Sequence, residues 1–302
     1  MISLRQHVAS LVAVFLALAV GIALGGGPLG GDDDDGDDQP TTTTTDKPAL
    51  APDRQSEFAD AFAEEGAVRL YAGGLNGHAA AILAMPGAET AQVKALQAQV
   101  LAAGGAITGT FTAGDKLVDV AENSLVDSIG NQLIAQLVDP RLDTTAPTYE
   151  RMGQLLGIAM ATTQGSSVRA DLAAVSVRES LADAELLTSP ADVRNAPLVL
   201  IILPPGEDGA EPSLSTRTII SGLASGVAHN AAGLVVVGDE DSADHGELAA
   251  LRETEVTGPI STVDGVETTI GQVTAVLAMQ AVFLGTTGSY GASGSDGVVP
   301  LP

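Results

Sequence analysis

The sequence is poor in several residue types, and each scarcity excludes a class of protein. Its 302 residues include no cysteine, so an exported domain would fold without disulfides and would offer no thiolate, the softest metal ligand. Lysine and arginine number 13 against 38 aspartate and glutamate residues, a formal net charge of −25. Such a surface repels nucleic-acid phosphates and anionic lipid headgroups, so we predict no nucleic-acid partner.

The sequence also lacks the signals of a hydrolytic enzyme. There is no Gly-x-Ser-x-Gly elbow to present a nucleophilic serine. Ser221, Ser225 and His229 recur at four-residue spacing, but nothing in the pattern places a base or an oxyanion hole. We therefore predict that the protein is not an enzyme.

What the sequence does contain begins with a long apolar run at the N-terminus. Between Val8 and Leu24 no residue is charged. As a helix this run would reach about 25 Å, and extension to Leu29 brings it to bilayer thickness, about 30 Å. We predict a single transmembrane anchor over residues 8–29; a signal peptide cleaved near residues 23–25 is the alternative.

The charges around the run predict its orientation. Arg5 and the amino terminus precede it, whereas a cluster of aspartates follows it and no cation occurs before Lys47. Because cationic flanks remain on the cytoplasmic side, we predict that residues 1–7 are cytoplasmic. The rest of the chain after the anchor would then lie outside the cell membrane, in the cell envelope.

Small residues recur along the run at strict four-residue spacing: Ala9, Ala13, Ala17, Gly21 and Gly25. On a helix they share one face, and such a face allows a second membrane helix to approach closely. The stripe predicts packing against another membrane protein or a second copy of this chain. An alanine-rich composition is the other explanation of the spacing.

Composition divides the rest of the chain into segments. Residues 30–53 combine an aspartate run with threonines and prolines, which predicts a disordered linker extended by self-repulsion. For residues 54–284 we predict an extracytoplasmic α/β domain with a helical insertion at about 116–192. For residues 285–302 we predict a Gly-rich tail.

Within the domain, apolar strands alternate with helices in two halves. A strand, a helix and a second strand over residues 79–112 form one β-α-β unit, an arrangement that favours parallel strands. A second half of the same kind follows the insertion, so we predict a doubly wound, Rossmann-like, mostly parallel sheet. The predicted strands lie at 79–85, 106–112, 197–203, 234–237 and 260–263, and the predicted helices outside the insertion at 53–71, 89–103, 213–229, 247–253 and 266–284.

Ligands bind such sheets at the carboxyl ends of the strands. The loops there, at 86–89, 204–211 and 238–247, are acidic, and none carries a phosphate-cradling Gly-x-Gly-x-x-Gly or Gly-x-x-x-x-Gly-Lys motif. The loop at 238–247 has the most carboxylates of the three and supplies a candidate metal site, which would suit a hard ion such as calcium or magnesium. Its candidate ligands are Asp239, Asp241, Asp244 and His245; a solvated acidic loop is the alternative.

Two further pairs of residues could bind a metal, but structural roles explain them better. His78 and His229 stand alone at a loop and at a helix end, where core or capping roles are the commoner ones. Met152 and Met160 lie two turns apart on one predicted helix, which favours core packing over a thioether site.

Several short stretches resemble a known family. They are Met1–His7, Leu11–Gly21, Arg69-Leu70, Val236-Val237, Ser261–Asp264, Thr274–Ala278 and Tyr290-Gly291. In these residues the chain resembles the actinobacterial copper-transport family called mycobacterial copper transport protein B, which is also described as a cell-separation factor (SteB). That family usually has a coiled coil after its anchor, and here the linker and the helix at 53–71 stand in its place.

The resemblance implies a role in copper efflux or homeostasis across the cell envelope, with copper as the transported or sensed ion and no cofactor carried over. One membrane helix encloses no channel, so a pore would require an oligomer. The alternative is a non-enzymatic cell-separation factor that pairs with another membrane protein to regulate peptidoglycan hydrolysis. No metal or catalytic motif is carried over from the family.

Overall fold

The structure, a computed structural model, describes residues 52–206 and 212–300. The predicted cytoplasmic N-terminus, the anchor at 8–29, its small-residue stripe and nearly all of the linker lie outside these ranges. Within them, no helix combines the length and the apolar character needed to cross a bilayer.

The described chain is a mixed α/β domain. Its strands are β1 (Ala79–Ala84), β2 (Ala106–Ala113), β3 (Val168–Arg169), β4 (Leu187–Thr188), β5 (Arg194–Asn195), β6 (Leu198–Ile202), β7 (Gly233–Val237), β8 (Ile260–Val263) and β9 (Ser289–Tyr290). Its helices are α1 (Pro52–Tyr71), α2 (Thr90–Ala102), α3 (Asp115–Val118), α4 (Asn123–Leu137), α5 (Thr148–Met160), α6 (Leu172–Asp183), α7 (Leu214–His229), α8 (Glu240–Asp244), α9 (Glu247–Arg252) and α10 (Thr269–Phe283), with a 3₁₀ turn at Val120–Glu122.

Seven strands form one sheet in the order β4-β2-β1-β6-β7-β8-β9. Every pairing in it is parallel except that of β2 with the short edge strand β4. The remaining two strands, β3 and β5, pair as a separate antiparallel ribbon. The prediction of an α/β domain with a mostly parallel sheet is therefore confirmed.

The sheet is buried on both faces, which explains why its central strands are unbroken apolar runs. Along β6, Val199 and Ile201 point into one hydrophobic core, and Leu198, Leu200 and Ile202 point into the other. The first core is completed by α5, α6 and α7, and the second by α1, α2 and α10. The predicted insertion thus serves as part of the cover on one face of the sheet.

Three short elements differ from the sequence-based expectations. The segment predicted as a Gly-rich tail supplies β9, the edge strand beside β8. The segment treated as an acidic loop contains α8, and the insertion supplies β4 to the opposite edge of the sheet. None of these elements carries an apolar run or a hydrophobic period that would mark it in the sequence.

Glycines bring α5 and α7 into unusually close contact. A Cβ built on Gly226 would lie 2.1 Å from the backbone oxygen of Glu150, and one built on Gly153 would lie 2.4 Å from the backbone oxygen of Leu223. Gly222 meets Tyr149 in the same way, at 2.8 Å from its Cβ. Only glycine permits this separation, so the position of α5 over the sheet depends on these residues.

We expect Gly226→Ala to lower the free energy of unfolding by about 1–3 kcal/mol, because the methyl group forces two packed helices apart. The matched control is Gly66→Ala on α1, where an added Cβ meets nothing within 4 Å. That control should raise stability by about 0.5–1 kcal/mol through helix propensity. Thermal unfolding of both variants measures the difference, and equal effects would show that the contact does not limit packing.

Candidate functional site

The carboxyl edge of the parallel sheet is where this fold offers a binding site. The chain leaves β1 toward one side of the sheet and leaves β6 toward the other, so the strand order reverses between them. The loops after β1, β6, β7 and β8 meet along this edge. Gly87 in the first loop approaches Pro204 in the second so closely that an added Cβ would lie 3.1 Å from the proline Cβ.

Asp239, the first predicted metal ligand, has a structural role in this arrangement. Its Oδ1 accepts hydrogen bonds from the backbone N–H of Ser242 at 2.7 Å and of Gly206 at 3.1 Å. The first bond caps α8 and the second ties the β7 loop to the β6 loop. This capping explains why a helix forms where the sequence suggested an irregular loop.

The other predicted ligands are not gathered around it. Asp241 and Asp244 lie on α8, His245 follows that helix, and all three side chains are exposed. Throughout residues 52–206 and 212–300, no group of three or more histidine, aspartate or glutamate side chains is placed to hold a metal ion. The metal site at residues 239–245 thus gains no geometric support.

A buried ion network lies at the same edge, beyond β8. Asp264, which is 1% exposed, accepts a hydrogen bond from the Arg252 Nη1 at 2.9 Å. The same carboxylate accepts from the backbone N–H of Ala292 at 2.6 Å and from the Ser293 hydroxyl at 2.7 Å. Arg252 also donates to the backbone oxygen of Tyr290 at 2.8 Å. Together these bonds join α9, β8 and the segment after β9.

The network brings together stretches on which the family resemblance rests, Ser261–Asp264 and Tyr290-Gly291. Gly291 has φ +115°, and a Cβ on it would lie 2.1 Å from the Asp264 Oδ1. A glycine is therefore required for the chain to turn against the buried carboxylate. Sequence reasoning missed Arg252, whose only signal was a cation ending a short helix in a very acidic chain.

The pKa of Asp264 reflects two opposing effects. Burial alone would raise it, but hydrogen bonds from Ser293, Arg252 and the backbone N–H groups of Ser293 and Ala292 outweigh burial and lower the pKa below its usual range. The carboxylate is therefore charged, and Arg252 compensates that charge.

Two other carboxyls at this edge have raised pKa values. Burial raises the pKa of Glu247 to about 7, and its Oε2 has no hydrogen-bond partner among the described residues. Burial also raises the pKa of Glu267, and the neighbouring charges of Asp239 and Glu240 add to that effect. The edge therefore combines one compensated buried carboxylate with others that bind protons more readily than usual.

The methionines and one of the two singled-out histidines occupy packed positions. Met152, Met160 and Met279 are fully buried, and Met85 is 3% exposed. Their thioethers therefore face no solvent. The His78 ring lies 4.1 Å from the Phe283 ring, centroid to centroid, and its Nδ1 lies 3.1 Å from the backbone oxygen of Gly165. Core packing of Met152 and Met160 is confirmed; His229 is the exposed last residue of α7.

We expect Asp264→Asn to lower the free energy of unfolding at pH 7 by about 3–5 kcal/mol, because it leaves the Arg252 charge buried without a partner. The carboxylate stabilises the fold above its unfolded pKa and loses that effect as pH falls through the lowered folded pKa, so the deficit of the variant should shrink in acid. The control, Glu253→Gln, breaks an exposed ion pair with Arg217 and should cost about 1 kcal/mol or less. A deficit that is small and equal for the two variants at pH 7 would contradict the role of Asp264.

Glu247→Gln should stabilise the protein at alkaline pH. Between the ordinary pKa of 4.5 and the folded value of about 7, the folded chain holds more protons than the unfolded chain, so stability falls as pH rises through this window. The cost above pH 7 is roughly 3 kcal/mol. Thermal melts should therefore show the variant above the wild type at pH 8 and close to it at pH 5, whereas Glu64→Gln on the exposed face of α1 should show no such crossover.

Comparisons with known proteins agree with the resemblance noted in the sequence. A sequence model of the family described as "Copper transport outer membrane protein, MctB" matches residues 1–300. Proteins named Copper transporter MctB from Mycobacterium bovis and Mycobacterium tuberculosis are each 29% identical over 321 residues, which cover 96% of this chain and 96% of the relative. The Mycobacterium leprae protein of that name is 29% identical over 326 residues, covering 100% of both chains.

Because the family match extends over nearly the whole chain, including the N-terminal run and the segments around Asp264 and Tyr290, the resemblance is confirmed: this chain belongs to the MctB copper transport outer membrane protein family.

Proposed function

We propose that this protein takes part in copper transport across the cell envelope, with copper as its substrate. The observation that carries the proposal is the match of the family to residues 1–300, joined by relatives named copper transporters that align over 96% or more of both chains. Those relatives share the copper transporter name, so the cell-separation alternative is not the favoured function.

The organisation that we propose follows the sequence. Residues 8–29 form a single-pass helix with residues 1–7 in the cytoplasm, residues 30–53 form a spacer, and the α/β domain acts outside the cell membrane. The stripe from Ala9 to Gly25 packs against a partner membrane protein or a second copy. The domain contributes no catalytic step.

The side chains of the domain indicate which form of copper it would meet. The chain has no cysteine, and the described methionines are buried, so soft sulfur ligands are not presented at the surface. Exposed groups such as Asp241, Asp244 and His245 are oxygen and nitrogen donors, which suit copper(II) better than copper(I). A net charge of −25 would concentrate cations near this surface without selecting among them.

Copper transport is tested by cell-associated copper in a deletion strain and its parent at matched growth. We expect the deletion strain to accumulate excess copper and the full-length chain to restore the parental level. Unchanged copper together with chained, unseparated cells would overturn the proposal and revive the cell-separation function.

The proposed membrane helix is tested by Ala17→Ile, which puts a bulky side chain on the small-residue stripe. We expect weaker co-purification with the membrane partner or second copy and loss of copper restoration, because the two helices can no longer approach closely. The matched control is Ala19→Ile, which lies near the opposite face of the helix at about 100° per residue. Equal behaviour of the two variants would remove the stripe as the contact surface.

A further inference from the structure

A cavity of about 790 Å³ near strand β2 is lined by three arginines, although the protein as a whole is strongly acidic. Arg169 lies on β3, Arg194 on β5 and Arg178 on α6. The loop at 189–193 closes another side of the cavity and packs on β2, where an added Cβ on Gly109 would lie 3.0 Å from Val193. None of these residues belongs to the carboxyl edge described above.

Arg178 is a charged group with little access to water, at 8% exposure. Its Nε donates to the backbone oxygen of Ala159 at 2.6 Å, its Nη1 to that of Val193 at 3.2 Å, and its Nη2 to the Asn195 Oδ1 at 2.9 Å. A guanidinium has five N–H donors, so one remains on each terminal nitrogen. Burial lowers the pKa of Arg178 from its ordinary value, but an arginine stays charged in proteins.

Arg169 and Arg194 stand directly opposite each other in the antiparallel ribbon. Side chains at such paired positions share one face of the ribbon, with Cβ atoms about 5 Å apart, and like charges there repel. Both side chains are exposed and line the cavity. Arg194 is held by hydrogen bonds to Ser167, at 2.7 Å from the Nη2 to the backbone oxygen. The ribbon therefore holds two like charges together beside the buried third.

Five other cations of the domain are neutralised by carboxylates of the same chain. Carboxylates form ion pairs with Lys116, Arg141, Arg151, Arg217 and Arg252. Glu179 and Asp192 also line the cavity, yet in the described part of the chain neither forms an ion pair with the three arginines. Among the described residues, the three guanidinium groups thus form no ion pair with a carboxylate and keep N–H donors free.

We propose that this cavity binds a small organic anion that carries more than one carboxylate group. A carboxylate accepts two parallel hydrogen bonds from a guanidinium fork, and a second carboxylate on the same molecule bridges to the opposed pair on the ribbon. A volume of about 790 Å³ is that of a small-molecule site. The bound anion removes the repulsion between Arg169 and Arg194 and compensates the buried charge of Arg178.

The composition of the lining favours a carboxylate over a phosphate. Phosphate sites commonly add backbone N–H groups from a helix N-terminus or a glycine-rich loop to their cations. Here α6 contributes Val175, Arg178 and Glu179 from its body, and no glycine lines the cavity in the described part of the chain. Recognition therefore rests on guanidinium forks, whose planar geometry matches a planar carboxylate.

The test is isothermal titration of the full-length protein in detergent with citrate, a tricarboxylate, in low-salt buffer. We expect saturable binding of one citrate per chain, and at least a tenfold loss of affinity in the double variant R169Q/R194Q. Arg178 is left intact because its three buried hydrogen bonds support the fold. The matched control is R54Q/R69Q on the exposed side of α1, which removes the same charge and should change affinity less than twofold.

Thermal unfolding supplies a second, independent measurement. In citrate-free buffer, R169Q alone should raise the melting temperature because it removes the cross-strand repulsion, whereas R69Q should leave it unchanged. Three results would overturn the proposal: no binding of citrate by the wild type, equal loss of affinity in the two double variants, or displacement of citrate by an equal concentration of inorganic phosphate.

Discussion

The close contact between α5 and α7 is the constraint on which most of this structure depends. Helices with ordinary side chains pack 8–10 Å apart, and shorter separations require residues without a Cβ at the contact. Gly153, Gly222 and Gly226 meet this requirement. They bring α5 against α7, and both helices contribute to the same hydrophobic core on one face of the sheet.

The same contact fixes the carboxyl end of α5, and two polar side chains bind there. Asn195 donates to the backbone oxygens of Ile158 and Ala161, both at 2.8 Å, and Arg178 donates to that of Ala159. The unsatisfied carbonyls of a helix end attract a cation, so α5 offsets part of the cost of burying Arg178. The packing of two helices thus decides where a guanidinium is held beside a cavity.

Buried charge is handled differently at two places in this domain. At the carboxyl edge of the sheet, Asp264 and Arg252 neutralise each other and their hydrogen bonds hold β9 on the sheet. The pair fixes the relative positions of three segments that are distant in sequence, because its hydrogen bonds join all of them. At the arginine cavity, three cations lie together without an ion pair to any described carboxylate, and the proposed bound anion would supply their negative partner. Buried ion pairs are weak evidence for stability but good evidence for a fixed arrangement, and the family resemblance around Asp264 and Tyr290 coincides with that arrangement.

Much of the fold could be predicted from the sequence, because apolar runs and helical periodicity are local signals of burial. The strands β1, β2, β6, β7 and β8 and the long helices between them follow directly from those patterns. The family could also be identified from short stretches along the chain. The elements β4, β9 and α8 could not be predicted, since they carry no apolar run and are defined by the neighbours that bind them.

The functional sites, like the fold, depend partly on the sequence alone and partly on the tertiary structure. Sequence alone determined an acidic chain without thiols, an apolar N-terminal run, an α/β domain and membership of a copper-transport family. Only the tertiary structure decided that Asp239 binds the backbone of Gly206, that Arg252 meets Asp264, and that Arg169, Arg178 and Arg194 line one cavity. The physical reason is that hydrogen bonds and charge pairs act over a few ångströms in space, between residues that lie 10 to 40 positions apart in the chain.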